Sequence, residues 1–347
     1  MAVNAQDYAL VIGINDYPFY RPLKGAIEDA REFEKWLLDT QAGAGVPVAN
    51  RQIVLSKANP IVPVLEEIDE ALLAIMNQVR KGGPGRRFYL FFSGHGMVQT
   101  EKEEATTAFC LAKWSDDRRN LALDSECYVN YVIQSGQFSE VVLFADCCRV
   151  RKVSVRGFCP SLGNIIPSPT AGSVRKFLAF ATELMVPAFE VAVGAVDGPV
   201  RGHFSRALMN ALWGAAARPQ GGVSATELEK YLYAEVPRIA KEHNHNQRPE
   251  VERKFDPQQE PIFGSAQPTV APVAAAAVNV VIQFANPAAG QIRLEGPEFE
   301  NFRYCNANIQ NWELALEPGL YILREETTGR ERHFRVRPSK EVLSVAF

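Results

Sequence analysis

The sequence predicts an α/β fold in which a mostly parallel sheet is flanked by helices, followed by a small all-β sandwich domain. Two features predict the first part: continuous apolar, β-prone runs typical of strands buried on both faces, and amphipathic helical patterns between these runs. Beyond residue 277 the pattern changes to short alternating runs separated by turn residues, which predicts the sandwich. We therefore expect a first domain over residues 1–263, a linker over 264–277 and a β domain over 278–347.

The chain opens with the beginning of a βαβ unit. An apolar run over residues 8–14 predicts a buried strand, and apolar residues from Ala26 to Leu37 then recur at helical spacing. The acidic residues of this helix, Asp29 among them, are expected on its other faces. A short strand over 52–55 and a helical pattern over 62–79 continue the alternation, which predicts a parallel sheet with helices on both sides.

Two further predicted strands end in reactive residues. Residues 87–92 lead into Ser93-Gly94-His95-Gly96, and residues 141–145 lead into Asp146-Cys147-Cys148-Arg149. Because the carboxyl ends of parallel strands meet at the edge of the sheet where ligands bind, we expect these residues to lie close together. A histidine and a thiol brought together in space are the components of a cysteine–histidine dyad.

The remainder of the first domain is predicted to contain one long loop, a strand and two helices. Residues 149–176 are rich in Arg, Lys, Gly, Pro and Ser without periodicity, which is typical of a mobile loop. A buried strand is expected over 177–182, helices over 204–213 and from Ser224 to about Glu242, and an extended stretch up to Phe263.

The composition narrows the possible classes of protein. Hydrophobic residues make up 47% and charged residues 22% of the 347 residues, which are ordinary globular values. A net charge of −3 gives no electrostatic reason to expect nucleic acid as a partner. Without a long apolar run or a signal sequence, we expect a soluble cytoplasmic protein that binds no membrane. The 6 cysteines lack CxxC spacing, so we expect reduced thiols and no zinc site.

Four stretches of the chain together resemble the caspase-like cysteine peptidases. The resemblance is closer to the bacterial caspase homologues and metacaspases than to animal caspases, and it covers residues 8 to about 263. The four stretches are Ala9–Asn15 with Leu23–Ala30, then Phe92–Gly96, Asp146–Arg149 and Gly202–Leu208. Their order and their places on the predicted strands and helices imply a caspase-like fold for the first domain.

The resemblance also implies the catalytic residues. It places the nucleophile two residues after Asp146, at Cys148, and the proton acceptor and donor at His95. Backbone N–H groups of Gly96 and Cys148 would stabilise the oxyanion. Cys147 alternates to the other side of an extended backbone, where a buried packing role suits it.

The residues around the implied substrate pocket favour a basic substrate side chain. Animal caspases use a basic pocket to cut after aspartate, whereas metacaspases use an acidic pocket to cut after Arg or Lys. Here Asp29 and Asp146 fall on the acidic positions, and Leu23 stands where animal caspases have an arginine. We therefore expect cleavage after Arg or Lys, with paired hydrogen bonds in the case of arginine.

Basic residues after the nucleophile offer sites for autoprocessing. If the enzyme cuts after Arg or Lys, it can cut its own chain where caspases carry the linker that is cleaved on maturation. The candidate residues are Arg149, Arg151, Lys152, Arg156, Arg175 and Lys176.

Simpler interpretations compete with these assignments. His95 could be a structural histidine, Cys148 a buried thiol and Asp29 a first-turn acid that complements a helix dipole. The alternative function is a catalytically silent caspase-like scaffold that binds partner proteins, suggested only by Val150, which replaces the glycine of the caspase signature. Redox chemistry at the Cys147-Cys148 pair is disfavoured, because adjacent cysteines rarely form an unstrained disulfide.

No cofactor or metal ion is required by these residues. Some metacaspases need calcium, and the acidic residues Glu101, Glu103, Glu104, Asp116 and Asp117 could bind it, although a solvated loop is the favoured interpretation. The expected partner is a peptide or protein substrate with a basic residue before the scissile bond. The β domain could bind a protein activator, and a bacterial proteolysis, stress or defence pathway is the expected setting.

Overall fold

The chain divides into two compact units, Met1–Thr269 and Val270–Phe347. The computed structural model describes residues 4–99, 105–151, 155–163, 166–192, 200–268, 280–284, 291–296, 302–306, 311–314, 316, 319–325, 328–337 and 342–347.

The first unit alternates strands and helices along most of its length. In chain order these are β1 (Asp7–Gly13), α1 (Ala26–Leu38), β2 (Arg51–Leu55), α2 (Leu65–Gly82), β3 (Gly85–Ser93), β4 (Gly96–Gln99), β5 (Thr106–Cys110), β6 (Ala122–Asp124), α3 (Ser125–Ser135), β7 (Phe138–Asp146), β8 (Arg175–Phe180), β9 (Glu190–Ala192), β10 (Val200–Gly202), α4 (His203–Asn210), β11 (Val223–Ser224), α5 (Ala225–Glu242), β12 (Glu250–Lys254) and β13 (Ile262–Phe263). The predicted mixture of strands and helices is confirmed.

A six-stranded sheet forms the centre of the first unit, in the order β12-β8-β7-β3-β1-β2. Five of its strands run parallel, and only the edge strand β12 is antiparallel to its neighbour β8. The small sheet β4-β5-β6 and the hairpin β9-β10 extend from the carboxyl edge of the large sheet. The mostly parallel sheet expected from the sequence is therefore present.

Both faces of the central sheet are buried, which explains the continuous apolar runs. Alternate residues of one strand point to opposite faces, so Leu90 and Phe92 pack with α2 and α3, whereas Phe91 packs with α1, α4 and α5. On the second face Phe33 of α1 stacks on Phe91, with ring centroids 4.6 Å apart. The core thus consists of two apolar layers separated by the sheet.

Helix α1 carries Asp29 on its buried face, and the expectation that this residue lies on another face is wrong. Asp29 is 1% exposed. It precedes Phe33 by four residues, so the two share one side of the helix. The helix begins where Asn15 Oδ1 accepts a hydrogen bond from the Ile27 N–H, at 3.1 Å. A carboxyl group is therefore held inside the unit by helix geometry.

The segment after the nucleophile position is more firmly held than its composition suggests. Cys127, on the first turn of α3, forms a disulfide with Cys159, so the expectation that these thiols are reduced is wrong. The Ser161 N–H donates a hydrogen bond to the Asp69 carboxylate on α2 at 2.8 Å. The backbone of Phe158 both donates a hydrogen bond to β6 and accepts one from it. The described part of this segment, 155–163, is thus attached to α2, α3 and β6.

The predicted linker begins with residues that pack on the first unit. The Ser265 N–H donates to the Ala42 carbonyl at 3.0 Å, and the Ala266 carbonyl accepts from Gly222 at 2.8 Å. The rest of the predicted linker, residues 269–277, lies outside the described residues.

The described residues of the second unit form two sheets. One has the order β17-β14-β20 and the other the order β16-β15-β18-β19. Their strands are β14 (Val280–Gln283), β15 (Gln291–Glu295), β16 (Phe302–Asn306), β17 (Asn311–Leu314), β18 (Gly319–Glu325), β19 (Glu331–Val336) and β20 (Leu343–Ala346). Side chains from both sheets, including Ile282 and Leu323, form one apolar cluster. The alternating runs of the sequence predicted the other six described strands of this unit but not β16.

Candidate active site

The two reactive strand ends lie side by side. Strands β3 and β7 pair in parallel, with Ser93 opposite Asp146, so the residues that follow them leave the same edge of the sheet. A cavity of about 150 Å³ opens there, and His95, Cys148, Asp29 and Asp146 all line it. The structure therefore brings four of the sequence-predicted site residues around one cavity.

Cys148 is held by the loop that follows β8. The Arg149 N–H donates a hydrogen bond to the Val186 carbonyl at 3.2 Å, and the Met185 N–H donates to the Arg149 carbonyl at 2.7 Å. This pairing places Ala188 against the thiol, whose Sγ lies 3.3 Å from both the N–H and the carbonyl oxygen of Ala188. Burial raises the pKa of the Cys148 thiol, an effect that the Ala188 N–H partly offsets. The resting group is therefore a thiol that needs a base.

His95 is fixed through both its backbone and its ring. Its N–H donates to the Tyr17 hydroxyl at 2.9 Å, and its ring contacts the rings of Tyr17 and Tyr20. The ring Nε2 lies 2.7 Å from the Arg21 carbonyl oxygen. Since a carbonyl oxygen can only accept, Nε2 carries the hydrogen and Nδ1 is the basic nitrogen of the neutral ring. The contact with Arg21 was not predicted from the sequence.

Cys147, which lines the cavity, lies next to Gly96. Cys147 is 2% exposed and belongs to the apolar core, and burial raises the pKa of its thiol. A Cβ placed on Gly96 would lie 2.4 Å from the Cys148 carbonyl oxygen and 2.6 Å from Cys147 Sγ. Only glycine allows this close approach of the two chain segments. Of the two adjacent cysteines, Cys148 is the partly exposed one.

Asp29 and Asp146 form a buried, interacting pair of carboxyl groups. Burial, together with the charge of Asp146, raises the pKa of Asp29 to about 7. Burial also raises the pKa of Asp146 to about 6, although this carboxylate accepts a hydrogen bond from the Ser205 N–H at 2.8 Å. Below this pH range protons neutralise the pair, and above it the cavity becomes more negative.

Two further charged residues at this site were not predicted. Glu190, on β9, lines the cavity, and its carboxylate accepts hydrogen bonds from the Lys24 and Gly25 N–H groups at 3.0 and 2.9 Å. Arg201, on β10, forms an ion pair with Asp29. Neither residue belongs to a local sequence pattern that would identify it. Both follow β8 in the chain, and the hairpin β9-β10 brings them to the site.

Val150 fits its position without strain. Its carbonyl accepts a hydrogen bond from the Val98 N–H at 3.2 Å, and Val150 forms a parallel bridge with Met97 of β4. Among the described non-glycine residues, positive φ occurs only at Met185 and Asn244. The backbone at Val150 is therefore open to any residue, and the loss of the signature glycine does not distort this turn.

Arg149 is buried, so it is not an exposed target for cleavage as the sequence suggested. Its guanidinium pairs with Glu250 at 2.6 Å, donates to the Thr182 carbonyl at 3.0 Å and lies over the Phe180 ring. Arg175 and Lys176 lie within β8 and form ion pairs as well. Arg151 and Arg156 are exposed, and Lys152 lies outside the described residues.

Three histidines meet near the cavity, which their spacing in the sequence did not suggest. His203 Nε2 lies 3.0 Å from His245 Nδ1, and the His203 ring stacks on that of His243. Burial lowers the pKa of His203 to about 4, so its ring is neutral at physiological pH. His245 stacks on Phe189 of the cavity wall.

The acidic residues considered for calcium do not form a ligand cluster in the part of the chain that is described. Asp116 and Asp117 lie on an exposed loop, and no three His, Cys, Asp or Glu side chains converge in a way that would hold a metal ion. Glu101, Glu103 and Glu104 lie outside the described residues.

Comparison with known proteins identifies the family. A family model of the caspase domain matches residues 6–257, which is more than half of the chain. The chain belongs to the caspase domain family. This caspase domain is similar to a probable protease from a Desulfuromonadales bacterium, with 30% identity over 220 residues that cover 60% of this chain and 26% of the relative. The chain therefore spans about a quarter of the length of that relative.

Two solved structures are similar to the chain in fold. One is a protein from Geobacter sulfurreducens, with a TM-score of 0.43, 15% identity and coverage of 76% of this chain and 98% of that chain. The other is pro-sf-caspase-1, with a TM-score of 0.41, 13% identity and coverage of 73% of this chain and 92% of that chain.

Among the described helices, none is long and apolar enough to span a membrane.

Proposed function

We propose that this caspase domain is a cysteine endopeptidase that cleaves after Arg or Lys. The observation that carries the proposal is the placement of two buried carboxyl groups, Asp29 and Asp146, in the same cavity as the partly exposed Cys148 thiol. A carboxyl-lined pocket beside a nucleophile favours a cationic side chain at P1, the residue before the scissile bond, and disfavours an acidic one. A bacterial proteolysis, stress or defence pathway is the proposed setting.

The proposed reaction uses His95 as base and then as acid. Nδ1 of His95 takes the Cys148 proton while Sγ bonds to the carbonyl carbon of the substrate. The N–H groups of Gly96 and Cys148 stabilise the oxyanion, and His95 then protonates the leaving amine as the C–N bond breaks. Water hydrolyses the resulting acyl-enzyme. The Arg21 carbonyl assists by keeping the ring in the required tautomer.

A panel of fluorogenic peptides that differ only at P1 tests the proposed specificity. We expect kcat/KM for Arg and Lys peptides to exceed that for the Asp peptide by at least about 100-fold, because an anion beside like charges costs several kcal/mol. Norleucine at P1 serves as the uncharged control of similar length. A preference for Asp would contradict the acidic pocket, and no hydrolysis of any peptide would favour the silent scaffold.

Binding of a basic peptide is expected to strengthen as the pH rises through about 6 to 7. The pKa values of Asp29 and Asp146 are raised by burial, so both groups lose their protons in this range and the cavity gains negative charge. In the Cys148→Ala variant, which separates binding from chemistry, the affinity for an Arg peptide should rise roughly tenfold. The norleucine peptide should show no such rise, and an equal rise for both peptides would refute this explanation.

Autoprocessing, if the proposed specificity holds, is expected after Arg151 or Arg156. These two residues are exposed, whereas Arg149 is buried and Arg175 and Lys176 belong to β8. Mass spectrometry of the active enzyme after prolonged incubation identifies the cut sites. A chain that stays intact while peptide is turned over would exclude autoprocessing, and a cut after Arg149 would contradict the argument from burial.

A further inference from the structure

The charge on Asp29 is already balanced within the protein. Its Oδ1 accepts from the Arg201 guanidinium, while its Oδ2 accepts from the Gly202 N–H at 3.1 Å and lies 3.4 Å from the Ser93 hydroxyl. Both oxygens are therefore engaged, and one of them by a cation. A substrate cation entering the cavity finds little uncompensated charge at Asp29.

Glu190 lines the same cavity, but its charge is not balanced by an ion pair with a described side chain. Its carboxylate is held by two backbone N–H groups, and none of the described Lys, Arg or His side chains forms an ion pair with it. It is only partly buried, whereas Asp29 and Asp146 are 1% and 6% exposed. Its negative charge also raises the pKa values of Asp146 and Cys148, so it lies within electrostatic reach of both.

Lys24 and Gly25 give Glu190 a fixed position. They lie directly before α1, the helix that carries Asp29, and their N–H groups bind one carboxylate oxygen each, at 3.0 and 2.9 Å. A carboxylate can accept further hydrogen bonds on its remaining lone pairs. Glu190 is thus an oriented acceptor at the partly exposed side of the cavity, with Asp146 at its buried side.

We propose that Glu190 is a specificity-determining residue whose carboxylate binds the P1 cation together with Asp146. In this arrangement Asp29 is not a direct partner of the cation but forms, with Arg201, an internal ion pair that shapes the pocket wall. This inference rests on the proposed cleavage after basic residues, and it names the carboxylate that the sequence pattern omits. The planar guanidinium of arginine has five N–H donors, enough to bond two carboxylates.

The test compares Glu190→Gln with Glu183→Gln. Both changes remove one negative charge, but Glu183 lies on the loop after β8, pairs with Arg248 and does not line the cavity. We expect Glu190→Gln to raise KM for Arg and Lys peptides by about tenfold or more, with kcat changed less than threefold. The inhibition constant of agmatine, which carries the guanidinium group of arginine, should rise by a similar factor. Glu183→Gln should alter neither quantity.

The outcomes separate this inference from the function on which it rests. If the wild-type enzyme prefers Asp peptides or cleaves none, the proposed function fails. If wild type cleaves after Arg and Lys but Glu190→Gln leaves KM and agmatine inhibition unchanged, only the role of Glu190 is refuted. A fall in kcat with unchanged agmatine inhibition would show that Glu190 merely anchors β9 to α1, which also overturns the proposal. Thermal unfolding checks that the glutamine variant is folded.

Discussion

Replacing Cys148 by alanine is expected to lower kcat/KM for an Arg peptide by about 10⁴-fold or more, because it removes the atom proposed to form the acyl-enzyme. His95 cannot substitute for it, since its proposed role is to take the thiol proton and return it to the leaving amine. Steady-state hydrolysis of the fluorogenic Arg peptide measures the loss. The variant should retain its fold, because Cys148 is partly exposed and the change removes a single sulfur atom.

Cys147→Ala provides the matched control for this prediction. Cys147 is 2% exposed within the apolar core, so its replacement should cost about 1 kcal/mol of folding stability and leave kcat/KM within about tenfold of wild type. The same assay decides between the two thiols. Loss of activity in Cys147→Ala together with retained activity in Cys148→Ala would show that the nucleophile has been assigned to the wrong cysteine.

Removal of the Cys127–Cys159 disulfide is expected to lower the free energy of unfolding substantially. The bond joins residues 32 positions apart, and the loss of loop-closure entropy in the unfolded chain for a loop of this size corresponds to about 3–4 kcal/mol. The double variant Cys127→Ser/Cys159→Ser removes the bond. Because Cys159 is exposed and Cys127 half-buried, serine should introduce little strain of its own. Denaturant unfolding without a reducing agent measures the difference.

A reducing agent supplies the control for the disulfide. A dithiol should destabilise the wild-type protein to about the level of the double variant and should leave the double variant unchanged. Equal stability of wild type and double variant without reductant would refute a stabilising role. If reductant destabilised both proteins equally, its effect would lie elsewhere in the chain.

The central sheet was predictable because its signal is local. A strand buried on both faces must be apolar at every position, so β1, β3 and β7 are visible as continuous runs in the sequence. The edge strand β12, with the sequence EVERK, has no such run because much of it is exposed.

The proposed site was partly predictable for the same reason. The position of His95 after β3 and of Cys148 after β7 follows from the strand ends, and the register that sets Ser93 beside Asp146 brings these residues together. Asp29 was identified through a resemblance, whereas the pattern of α1 alone suggested the wrong face. Its burial depends on an ion pair with Arg201, a residue 172 positions away in the chain.

The sequence by itself determined the α/β class and the parallel direction of the buried strands, through the alternation of apolar runs with helical patterns, and the candidate pair His95 and Cys148, through the strand ends and a family resemblance. Only the tertiary structure decided that Glu190 faces the cavity, that Arg201 balances Asp29, that the Arg21 carbonyl orients His95 and that Cys127 bonds Cys159. Each of these contacts joins distant parts of the chain. Packing of the sheet, helices and hairpin sets such pairings, and no local pattern of residues reports them.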